Sequence, residues 1–371
     1  MRAVVVGAGL IGLALADELT RRGVQVEIFE KASVVGSEAS SAAAGILSPH
    51  GEVKGPGPFL DFLTAGFQLI PEMVSRLQSE THVDLFYRVN GMLSLAFSDQ
   101  QERELSADLA WQERAGLKPQ RVTAAEIKKW EPAVDGQVRW GIWWPHTSQI
   151  DNARLVEAFC RAVGKQRGII RTNQAVSRFC VKGDRVVGIE TPSGITEADV
   201  VINCAGSWAG FDAGVPFSVP TVPVKGQMLE FQTSIPLCER ILKSGDSYLV
   251  QRSSSRLIAG TTVEKGVSDK SVTEDGKRSI LEGVLSISSQ VSTLPLISAW
   301  AGLRPGTPDG LPILGPTPVR GLWVASGHYR NGVLLAPLTG RVIADQILNE
   351  RTAVDLSPFS ISRFQGSVPG R

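Results

Sequence analysis

The sequence predicts an α/β chain: a Rossmann-like unit of parallel strands and helices, joined to an α+β unit built on an antiparallel sheet. Three observations carry this. A Gly-x-Gly-x-x-Gly fingerprint sits between a strand pattern and a helix pattern at the N-terminus. Short alternating segments separated by turn residues fill the middle. A strand, a glycine-rich loop and a helix recur near the C-terminus.

The first strand is the apolar run Ala3-Val4-Val5-Val6, which enters Gly7-Ala8-Gly9-Leu10-Ile11-Gly12 and a helical pattern. The second, Val24–Phe29, ends on Glu30. An acid at the tip of the second strand of a βαβ unit is the spacing of a dinucleotide site. Gly7 permits the tight turn, Gly9 lets backbone approach a pyrophosphate, and Gly12 lets the helix pack closely on the strand. The anion then meets free N–H groups at a helix N-terminus, where the macrodipole favours negative charge. Glu30 can accept from both ribose hydroxyls and would repel a 2′-phosphate. Ala14-Leu15-Ala16 could mimic a secretory cleavage site, but cleavage there would destroy the βαβ unit.

The segment 36–47 is rich in small residues. Ala42, Ala43, Ala44 and Gly45 suit close packing against something flat and bulky, a cofactor, better than a linker. Residues 59–78 and 99–115 read as amphipathic helices, and 91–97 alternates as a strand. Residues 152–166 form a helix with Asp151 as N-cap. A meander follows: 179–182 and 185–191 flank Gly183-Asp184, and Pro192-Ser193-Gly194 makes the next turn. Residues 198–206 are a buried strand running into a turn at Gly206. Residues 222–231, 247–251 and 256–262 are strands of an antiparallel sheet, and 277–294 is helical. Residues 321–327 form the last strand, followed by His328-Tyr329-Arg330-Asn331-Gly332 and a helix over about 334–349. The tail beyond Leu356 reads as irregular. The nucleotide-binding unit is therefore expected to be discontinuous, with 1–80, 151–210 and 296–371 in it and 81–150 and 211–295 in the other.

Composition narrows the function classes. The chain has 371 residues, enough for two domains, with 43% hydrophobic and 20% charged residues. A net charge of +1 gives no electrostatic case for nucleic acid or an anionic membrane. No apolar run reaches bilayer-spanning length. Cys160, Cys180, Cys204 and Cys238 lack C-x-x-C spacing and are expected reduced, in a cytoplasmic protein. His50, His82, His146 and His328 also lack ligand spacing, so no metal site is expected.

The residues then point to a family. The Gly7–Gly12 fingerprint, Ser41–Leu47, Val201–Gly206 and Val222-Pro223-Val224-Lys225-Gly226-Gln227 resemble the D-amino-acid oxidase superfamily of FAD-dependent enzymes. Trp300-Ala301-Gly302-Leu303-Arg304-Pro305-Gly306 and Gly327-His328-Tyr329-Arg330-Asn331-Gly332, with Leu334–Pro337, are the more specific motifs. Within the superfamily they are most similar to the glycine oxidase branch of thiamine biosynthesis, along essentially the whole chain. The resemblance implies a FAD domain of the p-hydroxybenzoate-hydroxylase type and an antiparallel substrate domain. It implies that Arg304 grips a substrate carboxylate, that Tyr248 assists it, and that Arg330 is a second basic residue at the substrate end. Gly332, Val333 and Leu334 would donate backbone N–H groups to the flavin pyrimidine ring. His328, which would also position its loop, and Asn331, Gly206 and Gly302 would lie against the cofactor.

The chain departs from the branch at Glu38, Ile46, Asp246 and Val263, where a basic residue, Met, a polar aromatic and Met are usual; this bears on substrate preference. No Cys lies in Pro312–Pro316, where covalent sarcosine oxidases carry one, so FAD is expected non-covalent. The implied reaction is hydride transfer from Cα of glycine or a similar small amino acid to flavin N5. It gives an imine, then a keto acid and ammonia, with oxygen reduced to hydrogen peroxide; in the thiamine pathway the imine itself would feed thiazole formation. The planar, permanently charged fork of Arg304 suits the carboxylate. No Asp, Glu or His base stands out, so the protein's tasks are alignment and electrostatics. Sarcosine, a D-amino acid or proline as substrate, a dehydrogenase with another electron acceptor, an RNA-modifying flavoprotein and a FAD-binding scaffold are the competing readings. Association into a homo-oligomer is compatible with all of them.

Overall fold

Strand Arg2–Val6 lies in the interior of a six-stranded sheet, and its composition explains why: four of its five side chains are buried, on both faces. The sheet order is Ile313–Pro316, Leu322–Ser326, Val200–Asn203, Arg2–Val6, Gln25–Phe29, Ile169–Arg171. All neighbours are parallel except the edge pair Ile313–Pro316 and Leu322–Ser326. The computed structural model describes residues 1–352 and 354–364.

Helices Leu10–Arg21, Pro58–Thr81, Asn152–Lys165 and Gly332–Ile347 share one apolar core with this sheet. Helix 10–21 packs on helix 332–347 so closely that a Cβ on Gly340 would stand 2.8 Å from the Ala14 carbonyl oxygen. Asp151 caps helix 152–165 by accepting from the N–H groups of Ala153 and Arg154, both at 3.1 Å. The antiparallel meander Arg178–Lys182, Arg185–Thr191, Gly194–Glu197 forms as the turn residues indicate.

The second large element is a nine-stranded sheet. Strand Val222–Gln232 pairs antiparallel with Arg256–Gly260 on one side and Leu296–Gly306 on the other. The sheet continues through Ser247–Ser253 and Ile241–Ser244 to Met92–Ala96, Trp140–Trp144 and Gln120–Thr123. Its one parallel junction joins Ile241–Ser244 to Met92–Ala96, which also stitches two distant chain segments into one sheet.

Several boundaries differ from the sequence reading. Leu296–Gly306 hydrogen-bonds along Val222–Gln232, so these residues lie with the large sheet rather than with the 296–371 segment. The helix expected over 277–294 runs Glu274–Leu285. Thr273 caps its start, accepting from Gly276 N–H, and a 3-10 turn at Ser289–Thr293 follows. Asp135 takes the Ser289 amide at 2.9 Å and its hydroxyl, which removes that stretch from the helix. Strand 256–262 ends at Gly260. The structure adds a helix, Ala124–Trp130, opened by a Thr123/Glu126 capping box, and the strand Trp140–Trp144. Beyond Leu356 the described residues make 3-10 turns at Ser357–Phe359 and Ile361–Phe364, while residues 353 and 365–371 lie outside the description.

Candidate active site

A cavity of about 400 Å³ runs from the glycine turn of the parallel sheet to the face of the large sheet. Its size falls in the range of small-molecule sites.

At one end the local chemistry is that of an anion and ribose site. Gly7 takes φ +101°, and a side chain there would strike the Cys204 carbonyl. Gly12 faces away from the cavity; a Cβ on it would overlap the Gly7 carbonyl, so its role is to let helix and turn touch. Leu10 N–H donates to Ser40 Oγ at 2.9 Å. The N–H groups of Gly9, Ile11 and Gly12 donate to no acceptor among the described residues. Glu30 is buried and accepts from Ala8 N–H and Ala32 N–H, both at 2.8 Å. Each carboxylate oxygen keeps a second lone pair for a hydroxyl donor. Beside it Lys31 stands 3.1 Å over the Trp208 ring, and burial lowers its pKa.

The wall is made of small residues. Ala43, Ala44, Gly45, Gly206 and Gly302 all line it. A side chain on Gly302 would overlap Ala42, so this glycine also seats the short helix Ala39–Ala42 on strand 296–306. Trp300 Nε1–H donates to the Ala42 carbonyl at 3.1 Å. Buried Arg252 donates to the carbonyls of Ala44 and Ile150 and to Gln149 Oε1, stapling the alanine segment in place. It has no carboxylate partner among the described residues, and burial lowers its pKa to about 10.

Helix 332–347 aims its N-terminus at the cavity. The N–H groups of Gly332, Val333 and Leu334 donate to no acceptor among the described residues, and Asn331 provides no side-chain cap. Asn331, Gly332 and Val333 line the cavity, whereas the Leu334 side chain turns into the core. His328 is buried, its Nε2 3.0 Å from Thr339 Oγ1, and burial drives its pKa down to about 3. It is neutral at ordinary pH and fixes the loop to the helix.

At the other end lie Arg304, Tyr248 and Arg330. Arg304 projects over Gly226, where any Cβ would overlap the guanidinium. Its Nη1 donates to Lys225 O (3.4 Å) and Thr262 O (3.2 Å), and its Nη2 to Thr261 Oγ1 (2.7 Å). That leaves Nε–H and one Nη2–H of its five donors unused, and no carboxylate pairs with it among the described residues. Tyr248 Oη sits 3.1 Å from Met228 Sδ; burial raises its pKa while the Arg304 charge opposes the rise. Arg330 is different: it pairs with Glu52 (3.3 Å) and Asp246 (2.9 Å). Val263 is partly exposed and stands outside the cavity wall.

Ser40, Lys31, Trp208, Thr261, Glu52 and Lys243 also line the cavity and were not singled out in the sequence. Lys31 follows Glu30 directly, and Thr261 follows Gly260, the strand residue paired with Tyr248, which are the signals that could have found them.

Residues 2–346 match the family described as FAD dependent oxidoreductase, DAO. The chain belongs to this family of FAD-dependent oxidoreductases. It is 32% identical over 369 residues to the glycine oxidase of Geobacillus kaustophilus (strain HTA426), covering 98% of this chain and 97% of that protein. The crystal structure of glycine oxidase from Geobacillus kaustophilus superposes with a TM-score of 0.93 at 31% identity, covering 98% and 99% of the two chains. The bifunctional protein ThiO/ThiG of Synechocystis sp. (strain ATCC 27184 / PCC 6803 / Kazusa) is 32% identical, covering 97% of this chain and 54% of that protein; the chain spans about half its length. The two large sheets are thus the FAD-binding sheet and the substrate-domain sheet of this DAO-type fold. The cavity fits the family's cofactor: two helix N-termini present unpaired amides, a buried carboxylate keeps free lone pairs at the ribose end, and small residues line the wall between them.

Proposed function

We propose that this oxidoreductase removes two electrons from the C–N bond of glycine or another small amino acid, giving an imino acid that hydrolyses to a keto acid and ammonia. The supporting observation is Arg304. It is a largely buried guanidinium at the cavity wall, held by three oxygens yet without a carboxylate partner among the described residues. Its two unused donors suit the two oxygens of one carboxylate. A substrate so held would present its amine and Cα toward the centre of the cavity.

The chemistry supplied by bound FAD is two-electron acceptance, with reoxidation by oxygen to hydrogen peroxide. Glu30 and the Gly9–Gly12 amides would hold its ribose and pyrophosphate, and the amides of Gly332 to Leu334 its pyrimidine edge. The Pro312–Pro316 segment lacks a thiol, and burial keeps the one cavity cysteine, Cys204, protonated, which supports non-covalent binding. Tyr248 would pack on the substrate beside Arg304. Alignment and charge placement then carry the catalytic burden.

The decisive experiment is anaerobic mixing of the yellow holoprotein with glycine, N-methylglycine, proline and a D-amino acid series. Bleaching of the flavin by a small amino acid is the expected result. No bleaching by any member would overturn the reading.

A further inference from the structure

Arg304 and Arg330 face the same cavity, and the Arg330 charge disfavours the protonated state of Arg304. Only one is open. Arg330 is clasped by Glu52 from one loop and Asp246 from the hairpin turn between Ile241–Ser244 and Ser247–Ser253. Its side chain is 16% exposed and that of Glu52 25%, so both belong to the wall, whereas Asp246 closes the clasp from the surface at 63%. Lys243 reaches the same loop, its Nζ donating to Gly51 O at 3.4 Å.

From this we infer that the Glu52–Arg330–Asp246 clasp sets specificity by charge, and the inference rests on the amino-acid reading above. A ligand with one carboxylate uses Arg304 and leaves the clasp alone. A ligand with a second carboxylate brings it toward a guanidinium whose Nη groups two carboxylates already occupy, with Lys243 a further cation on the same wall. Like charges on the wall reject the second anion, so discrimination comes from repulsion as well as from the Arg304 contact. Replacing both acids by amides keeps their shape and removes the repulsion. Arg330 then becomes a receptor for the second carboxylate of a dicarboxylate ligand.

The test is equilibrium titration of the holoprotein with acetate and with malonate, neither of which can be oxidised as an amine. It compares wild type, Asp246→Asn, and the double variant Glu52→Gln/Asp246→Asn. The malonate-to-acetate affinity ratio is expected to rise at least about tenfold in the double variant and partly in Asp246→Asn, whose exposed position spares the fold. Adding Arg330→Met to the double variant should abolish the gain. An unchanged ratio in both variants, or a gain that survives Arg330→Met, overturns the inference. The amine panel separates the two readings. A wild type that bleaches with no amino acid, together with a double variant that shows the malonate gain, retains the clasp and loses the oxidase assignment. A wild type that oxidises glycine without the gain does the reverse.

Discussion

Arg304 is placed by what surrounds it rather than by its own chain. Lys225 O, Thr262 O and Thr261 Oγ1 hold the guanidinium, and Gly226 clears the space it occupies. Losing a buried charged partner costs about 2–5 kcal/mol. Arg304→Ala should therefore raise KM for the amino acid by about 30-fold or more at 1.4 kcal/mol per tenfold. Gly226→Ala should displace the guanidinium and raise KM with little change in Tm; steady-state kinetics beside thermal melts would check both. His328 gives a pH prediction. Its native pKa is pushed down to about 3, whereas an unfolded histidine titrates near 6.5. Below pH 6.5 only the unfolded chain gains this proton, so the contribution to stability declines with falling pH until pH passes about 3. Between pH 7.5 and 5 that amounts to roughly 2 kcal/mol. The Tm gap between wild type and His328→Gln should narrow over that interval.

Two helices do the work at the element scale. Helices 10–21 and 332–347 direct unpaired amides at opposite parts of the cavity, and they touch where Gly340 meets the Ala14 backbone. Gly340→Ala should push them apart at a cost of about 1–3 kcal/mol. Calorimetry should show the lower Tm, and titration of apoprotein with FAD should show weaker binding. These elements were also the most legible. The fingerprint glycines, Glu30 and the Asn331–Gly332 helix start are local signals, readable because turn geometry and helix termini demand particular residue types. The glycine at 302 was legible as a motif member, but its packing on Ala42 depends on a strand and a helix far apart in sequence. The clasp on Arg330 was invisible for the same reason: Glu52 and Asp246 lie in separate loops, and only the folded chain brings them to one guanidinium.

For the whole molecule, the junction between the two large sheets matters most. Arg252 stands on the large sheet and ties the alanine segment to Gln149 and Ile150 through carbonyl and amide oxygens. Arg252→Met would leave those oxygens without their donor. Each buried acceptor left unpaired costs about 1–3 kcal/mol. The variant should melt earlier and lose FAD at a lower denaturant concentration than wild type, followed by flavin fluorescence during urea titration. Pairing across the chain was the least legible feature. Assigning Leu296–Gly306 to its sheet requires knowing its partner, Val222–Gln232, and strand propensity alone does not supply one.

The six-stranded sheet recruits strands from residues 2–29, 169–203 and 313–326, and helix 332–347 completes the packing of helix 10–21. During synthesis the N-terminal βαβ unit must therefore wait for nearly the entire remaining polypeptide to leave the ribosome before its oily helix is covered. Nascent chains halted before residue 332 should bind chaperones and take up no flavin, because the amides of Gly332 to Leu334, proposed above to hold the pyrimidine edge, are translated after the rest of the pocket.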